Sequence, residues 1–277
     1  MNDKEKIVLI TGATSGIGKE AAKALAQQGM KLVLPVRNLA KGQAFREEIH
    51  QLTGNGHVDL MECDLASLDS IRKFAETFNK KYDRLDVLIN NAGIWEMKRN
   101  ESKDGIELTF AVNHLAPFLL TNLLLDKLKA SAPSRIVTVS SEAHRMGKIN
   151  FDDLEGKHRW SWMGSYAQSK LANIFFTRQL KLQLKGTGVV ANCLHPGMVA
   201  TNLFDKMPRF MHPLMKLVMI PPKEGAETTV FLATSPQAKE VSGEYFAKRK
   251  VRKTTNYAHN KEVAEKLWKV SRQYTGL

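Results

Sequence analysis

Residues 7–18 read Ile7-Val8-Leu9-Ile10-Thr11-Gly12-Ala13-Thr14-Ser15-Gly16-Ile17-Gly18, four apolar residues running into a turn that holds three glycines. An amphipathic helical pattern follows at once. A strand, a glycine turn and a helix start let backbone N–H groups approach a pyrophosphate where the helix dipole favours negative charge. Gly12, Thr14, Ser15, Gly16, Ile17 and Gly18 are therefore candidate cofactor contacts. The spacing is GxxxGxG and not the generic GxGxxG fingerprint. Alone, such a turn is equally readable as a tight connection; its place between strand and helix favours the phosphate.

The same alternation continues outward. Residues 31–36, 57–62, 87–89, 135–140 and 189–194 read as strands, with helical patterns at 16–29, 38–53, 67–82, 104–130, 161–186, 223–235 and 260–274. Strands rich in Val, Ile and Leu without strict alternation are expected where helices cover both faces of a parallel sheet. The pattern predicts an α/β protein, a doubly wound parallel sheet in three α/β/α layers, as a single domain over residues 1–277. Residues 202–222, NLFDKMPRFMHPLMKLVMIPP, interrupt it. Their Met and Phe residues lie between prolines and read as an apolar lid over a ligand site.

Forty-one Lys and Arg against 28 Asp and Glu give a net charge of +13, which makes the surface attractive to anions. The basic residues are scattered and form no aromatic-basic platform, so nucleic acid is not an expected partner. Cys63 and Cys193 each sit in an apolar stretch and read as buried free thiols, with no metal site expected. MNDKEK leads directly into IVLI, leaving no room for a signal peptide, and no apolar run reaches the ~18 residues of a membrane span. The expectation is a cytoplasmic protein without membrane association. A rival reading lays Lys206, Arg209 and Lys216 of the insertion on anionic lipid.

Several positions carry possible chemistry. After the second strand, where a carboxylate would accept from an adenosine ribose, the chain reads Val36-Arg37-Asn38. Arg37 could receive a 2′-phosphate there, or it could be a solvated cation. Asp64-Leu65 and Asn90-Asn91-Ala92-Gly93 follow the third and fourth strands and would edge the adenosine half of a cofactor; Asp64 could instead cap the next helix. Tyr166 and Lys170, four apart on a helix, share a face, and a neighbouring ammonium favours a phenolate. Ser140 and Ser141 end the fifth strand, as substrate contacts or as turn residues. Asn113, in the apolar run FAVNHLAPFLL, could support a relay water or bond a neighbouring carbonyl.

Taken in order, TGxxxGIG, DL, NNAG, the helix Asn113, the strand-end serines, YxxxK and Pro196-Gly197 with Thr201 resemble the short-chain dehydrogenase/reductase family. The resemblance spans nearly the whole chain and implies a Rossmann fold. It also implies Tyr166 as general acid/base, Lys170 lowering its pKa and binding the nicotinamide ribose, Ser141 orienting the reacting oxygen, and Asn113 holding a relay water. Gly12, Gly16 and Gly18 would cradle the pyrophosphate, and Asn91 and Gly93 would flank the adenosine half. Pro196, Gly197, Val199 and Thr201 would line the nicotinamide end.

Within that family the segments SAPSRIVTVSSEAHRMGKINFDDLEG, YAQSKLANIFFTRQL, Leu194-His195-Pro196-Gly197 and LWKVSRQYTGL are similar to the retinol dehydrogenase branch. Many vertebrate members of it begin with a membrane anchor, so the expected substrate is a small lipophilic alcohol, aldehyde or ketone and not retinoid specifically. Trp95, Trp160, Trp162 and Met163 are placed near its mouth. The cofactor expected is NADP(H), with NAD(H) as the alternative. The rival reading is a nucleotide-binding regulator with little catalysis. A homo-oligomer through the helices at 104–130 and 161–186 is left open, and residues 248–253, KRKVRK, read as a solvated turn.

Overall fold

In the computed structural model, which describes residues 6–199 and 219–277, strand β1 (Ile7–Ile10) runs through the middle of the sheet. All four of its residues are buried, because each face meets a different apolar layer. Leu9 joins the cluster containing Phe78, Phe118 and Phe176, while Val8 and Ile10 join the one containing Leu25, Ile49 and Leu232. Neighbouring side chains point to opposite faces, so a strand without polar alternation needs helices on both sides.

The other strands are β2 (Lys31–Val36), β3 (Val58–Glu62), β4 (Val87–Asn90), β5 (Ser134–Val139), β6 (Val189–His195), β7 (Tyr245–Ala247) and β8 (Lys250–Val251). Their order is β3-β2-β1-β4-β5-β6-β7-β8, parallel through β7, with β8 antiparallel at the edge. Leu9 pairs with Val33 on one side and Leu88 on the other, so the strand order reverses beside β1. In doubly wound sheets, ligands bind beyond the strand ends at that reversal.

The helices are α1 (Gly16–Gln27), α2 (Leu39–Thr53), α3 (Leu68–Lys81), α4 (Leu108–Phe110), α5 (Ala116–Leu123), α6 (Leu125–Ala130), α7 (Trp162–Gln183), α8 (Pro222–Thr234) and α9 (Lys261–Thr275). Short polar side chains start several: Asn38 accepts from the Lys41 amide, Ser67 from Ser70, Ser161 from Gly164 and Asn260 from Val263.

Two expectations need correction. The pattern at 104–130 is not one helix: a π-helical turn (Ala111–Leu115) separates α4 from α5, and Leu124 interrupts the path to α6. Pro117 lacks the amide that would bond the Asn113 carbonyl in an α-helix. That carbonyl instead accepts from Asn173 Nδ2 at 2.9 Å. The basic run 248–253 is only partly a turn. Lys248 and Arg249 make the bend, and Lys250–Val251 is strand β8.

Helix α9 lies over the α5–α7 pair, with the Trp268 ring centroid 4.7 Å from that of Phe118 and 5.8 Å from that of Phe176. Cys63 and Cys193 are free and buried. Among the described residues no helix is long and apolar enough to cross a membrane.

Candidate active site

The glycine turn is stitched to the end of β4. Thr11 Oγ1 accepts from the amides of Asn91 and Ala92, both at 3.0 Å, and Asn91 Nδ2 donates to the carbonyls of Thr11 and Gly12 at 2.9 and 3.2 Å. Gly12 is left-handed at φ +66°, and a Cβ on Gly18 would lie 2.3 Å from both Asn91 Nδ2 and the Gly12 oxygen. Only hydrogen fits at that crossing of helix and turn. Asn91 is thus a brace for the turn more than a lining of the cleft. Ser15 stands extended before α1 without a side-chain cap bond, and Thr14 precedes it. The first turn, with Gly16, Ile17 and Gly18, carries no acidic residue. An uncapped helix start at the sheet's reversal suits a pyrophosphate.

Arg37 is exposed at the end of β2, while the Asn38 side chain is occupied in capping α2. Asp64 accepts from the Ala66 amide and pairs with Lys103 at 2.9 Å. Burial alone would raise its carboxyl, but Lys103, the Ala66 amide and Arg37 together hold it below the ordinary value. Asp64 does not cap α3, because Ser67 does, and Leu65 packs half-buried on the core. Gly93 is exposed, and a Cβ there would crowd Lys170 Nζ at 3.1 Å.

The two strand-end serines diverge. Ser140 Oγ turns inward and donates to the Lys170 carbonyl at 2.7 Å, tying β5 to α7. Ser141 Oγ accepts from the Ala143 amide and comes close enough to the Tyr166 phenol to lower its pKa. Strand tip and helix therefore converge on one point. Gly147 makes this possible, since a Cβ there would sit 2.5 Å from the Ala167 carbonyl oxygen, and the 141–147 segment could not lie so close to α7. His144 fixes the same segment, its Nδ1 2.7 Å from the Ser141 carbonyl. Neither was singled out from sequence; a glycine a few residues past a strand end is too common to signal a close approach.

Lys170 Nζ donates to the Val139 carbonyl at 3.1 Å and lies 5.5 Å from the centre of the Tyr166 ring. Burial pushes the ammonium down to about 8 and the phenol up to about 12, with the Ser141 hydroxyl only partly offsetting the latter. The expected depression of Tyr166 by Lys170 is absent here. The ammonium faces the ring and is engaged with a backbone oxygen, so desolvation wins.

Asn113 sits in the π-helical turn and spends its side chain on protein. Oδ1 accepts from the Ile94 amide at 2.8 Å, and Nδ2 donates to the Ile94 carbonyl and to Ser169 Oγ at 2.9 and 3.0 Å. Ser169 Oγ in turn donates to the Tyr166 carbonyl at 2.7 Å. One of the two roles expected for Asn113, bonding a neighbouring carbonyl, is thus seen in its Nδ2 bond to Ile94.

Trp95 stacks on Tyr166 at 5.3 Å and meets Trp162 at 4.9 Å, giving the phenol an aromatic wall. Trp160 Nε1 donates to Glu107 at 3.3 Å. Pro196 and Gly197 follow β6, and Val199 is buried and bridged to Ile220. Thr201 and residues 202–218 of the expected lid lie outside the described residues. The described residues include no group of His, Cys, Asp or Glu able to hold a metal ion.

Residues 6–211 match the family model for short chain dehydrogenase. Human retinol dehydrogenase 14 is 44% identical across 98% of this chain and 87% of its own length. Human retinol dehydrogenase 13 is 42% identical across 98% and 85%. Among solved structures, a protein of Mycobacterium Paratuberculosis superposes with TM-score 0.82 at 34% identity, covering 98% of this chain and 94% of its own. A short chain dehydrogenase of Burkholderia cenocepacia J2315 in complex with NADP shares the fold at TM-score 0.70 and 24% identity, over 87% and 94% of the two chains. With motif order, sheet order and relatives in agreement, this chain belongs to the short chain dehydrogenase family, whose members are NAD(P)-dependent oxidoreductases.

Proposed function

We propose that this protein, as one Rossmann-type domain, moves a hydride between NADP(H) and a small lipophilic alcohol, aldehyde or ketone, with Tyr166 as its proton-transfer residue. The observation that carries the reading is the approach of the Ser141 hydroxyl to the Tyr166 phenol, close enough to lower the phenol's pKa, with Lys170 Nζ 5.5 Å from the centre of the ring. An oxygen placed between those two hydroxyls would accept from both. The nicotinamide supplies the hydride when bound; the protein supplies orientation and a matched proton.

The residues present fit that cofactor. The bare first turn of α1 suits the pyrophosphate, and Arg37, with no carboxylate beside it on β2, suits a 2′-phosphate. Ser141 would orient the reacting oxygen, Lys170 would add positive charge near the phenol, and the Asn113–Ser169 chain would fix the backbone of Tyr166. A phenol held up at about 12 is protonated at neutral pH. In that form it can give its proton to a carbonyl oxygen, and alcohol oxidation runs the same path backwards. The apolar wall of Trp95 and Trp162 supports a lipophilic substrate.

The test is a steady-state panel of aldehydes and ketones with NADPH and with NADH. Hydrophobic aldehydes with NADPH are expected to give the highest kcat/KM. Tyr166→Phe should bind NADPH as the parent does while turnover falls by about a hundredfold or more. Unchanged turnover would remove Tyr166 from the mechanism, and NADPH binding with no turnover of any carbonyl would favour a regulator.

A further inference from the structure

Away from Tyr166 and Lys170, a cavity of about 630 Å³ opens where the ends of β6 and β7 meet the turn after β5. Its walls carry Glu142, Arg145, His195, Lys248, Arg252 and Lys253. Four cations thus face one carboxylate, and that carboxylate is already committed. Arg145 pairs with it, and Tyr245 Oη donates to it at 2.9 Å. His195 adds no charge: burial lowers its pKa, and its Nδ1 accepts from the Glu142 amide. Lys248, Arg252 and Lys253 have no carboxylate partner among the described residues.

The backbone gives an independent sign. Lys248 and Arg249 form the two-residue bend between β7 and β8 with φ +50° and +60°. Bends of this hand favour Asn-Gly, and a residue that carries a Cβ is strained there. Arg249 pairs with Glu227, and its amide donates to Thr228. Lys248, the other strained cation, stands on the cavity wall. Strain kept at a cleft is a sign of use. The place also fits, since Glu142 directly follows Ser141 and Gly197, after β6, lines the same cavity.

We propose that this cavity is an anion subsite, which holds a carboxylate or phosphate at the far end of the substrate whose carbonyl meets Ser141 and Tyr166. The preferred substrate is then an amphiphile, an apolar chain with a carbonyl at one end and an acid at the other. Ammonium and guanidinium groups bind such acids by charge-assisted hydrogen bonds. The substrate class named here rests on the hydride-transfer reading; the anion site does not.

The experiment compares an ω-oxo fatty acid with the alkanal of the same length, each with NADPH. At low salt the acid should be favoured in kcat/KM by about fivefold or more, and the preference should shrink as salt is added. In an Arg252→Gln, Lys253→Gln double variant the acid-to-alkanal ratio should fall towards one. Inorganic phosphate should compete against the acid more strongly than against the alkanal. A ratio of one in the parent, or one unchanged in the variant, overturns the subsite. If neither aldehyde turns over, the hydride reading fails, and thermal stabilisation by the matching α,ω-dicarboxylate still decides the site. Stabilisation of the parent that the variant loses supports it; equal stabilisation, or none, overturns it.

Discussion

Tyr166 and Lys170 are buried ionisable groups whose pKa values are driven apart by burial, the phenol up to about 12 and the ammonium down to about 8. In the unfolded chain the lysine would titrate near 10.5, so between pH 8 and 10.5 the unfolded state holds more protons than the native one. Stability should therefore rise with pH across that window, because burying the charge is a burden only while the charge is present. Lys170→Met should lose most turnover yet melt no lower than the parent at pH 7, since it removes about 3 kcal/mol of buried-charge cost. Thermal melts against pH check the sign, and a melting point well below the parent would contradict it. Turnover that needs the ammonium should decline through pH 8. At the other end of the cleft, Arg37→Asp should lower the NADPH-to-NADH ratio of kcat/KM by about tenfold, by exchanging a phosphate partner for a group that repels it. An unaltered ratio would mean that Arg37 points elsewhere.

The contact between the segment after β5 and helix α7 sets the distance from Ser141 to Tyr166, and Gly147 allows it. Gly147→Ala would place a methyl 2.5 Å from a backbone oxygen, so the segment must back away from α7. Turnover should drop about tenfold or more while NADPH affinity stays near the parent's, with a stability loss of about 1–3 kcal/mol. Kinetics beside a fluorescence titration of NADPH would separate the two; equal losses in both would show a general collapse. The six longer strands and the YxxxK pair were legible because hydrophobic runs and an i, i+4 spacing are local signals. Strands β7 and β8 were not. Three and two residues of YFAKRKV are too few to show a period, and their pairing depends on β6, far away in sequence. The π-helical turn was hidden for a similar reason. FAVNHLAPFLL has an ordinary helical pattern, and the turn is held by Ile94 and Asn173, which only the fold brings near Asn113.

Seen whole, the molecule covers with its own helix α9 the α5–α7 face through which an oligomer had been left open. Trp268 fills the space against Phe118 and Phe176. Light scattering behind size exclusion should find a monomer, and a dimer at micromolar concentration would show that another face pairs. Trp268→Ala should cost about 2 kcal/mol and expose those rings. Such a cover has a consequence for synthesis. Helix α9 is translated after every strand of the sheet, so a nascent chain can complete its nucleotide cleft while a greasy flank still waits for its shield. In that interval it is a client for chaperones and prone to sticking to its neighbours. Ribosome stalling or proteolysis just before Lys261 should therefore do more harm to solubility than the loss of a short surface helix would suggest.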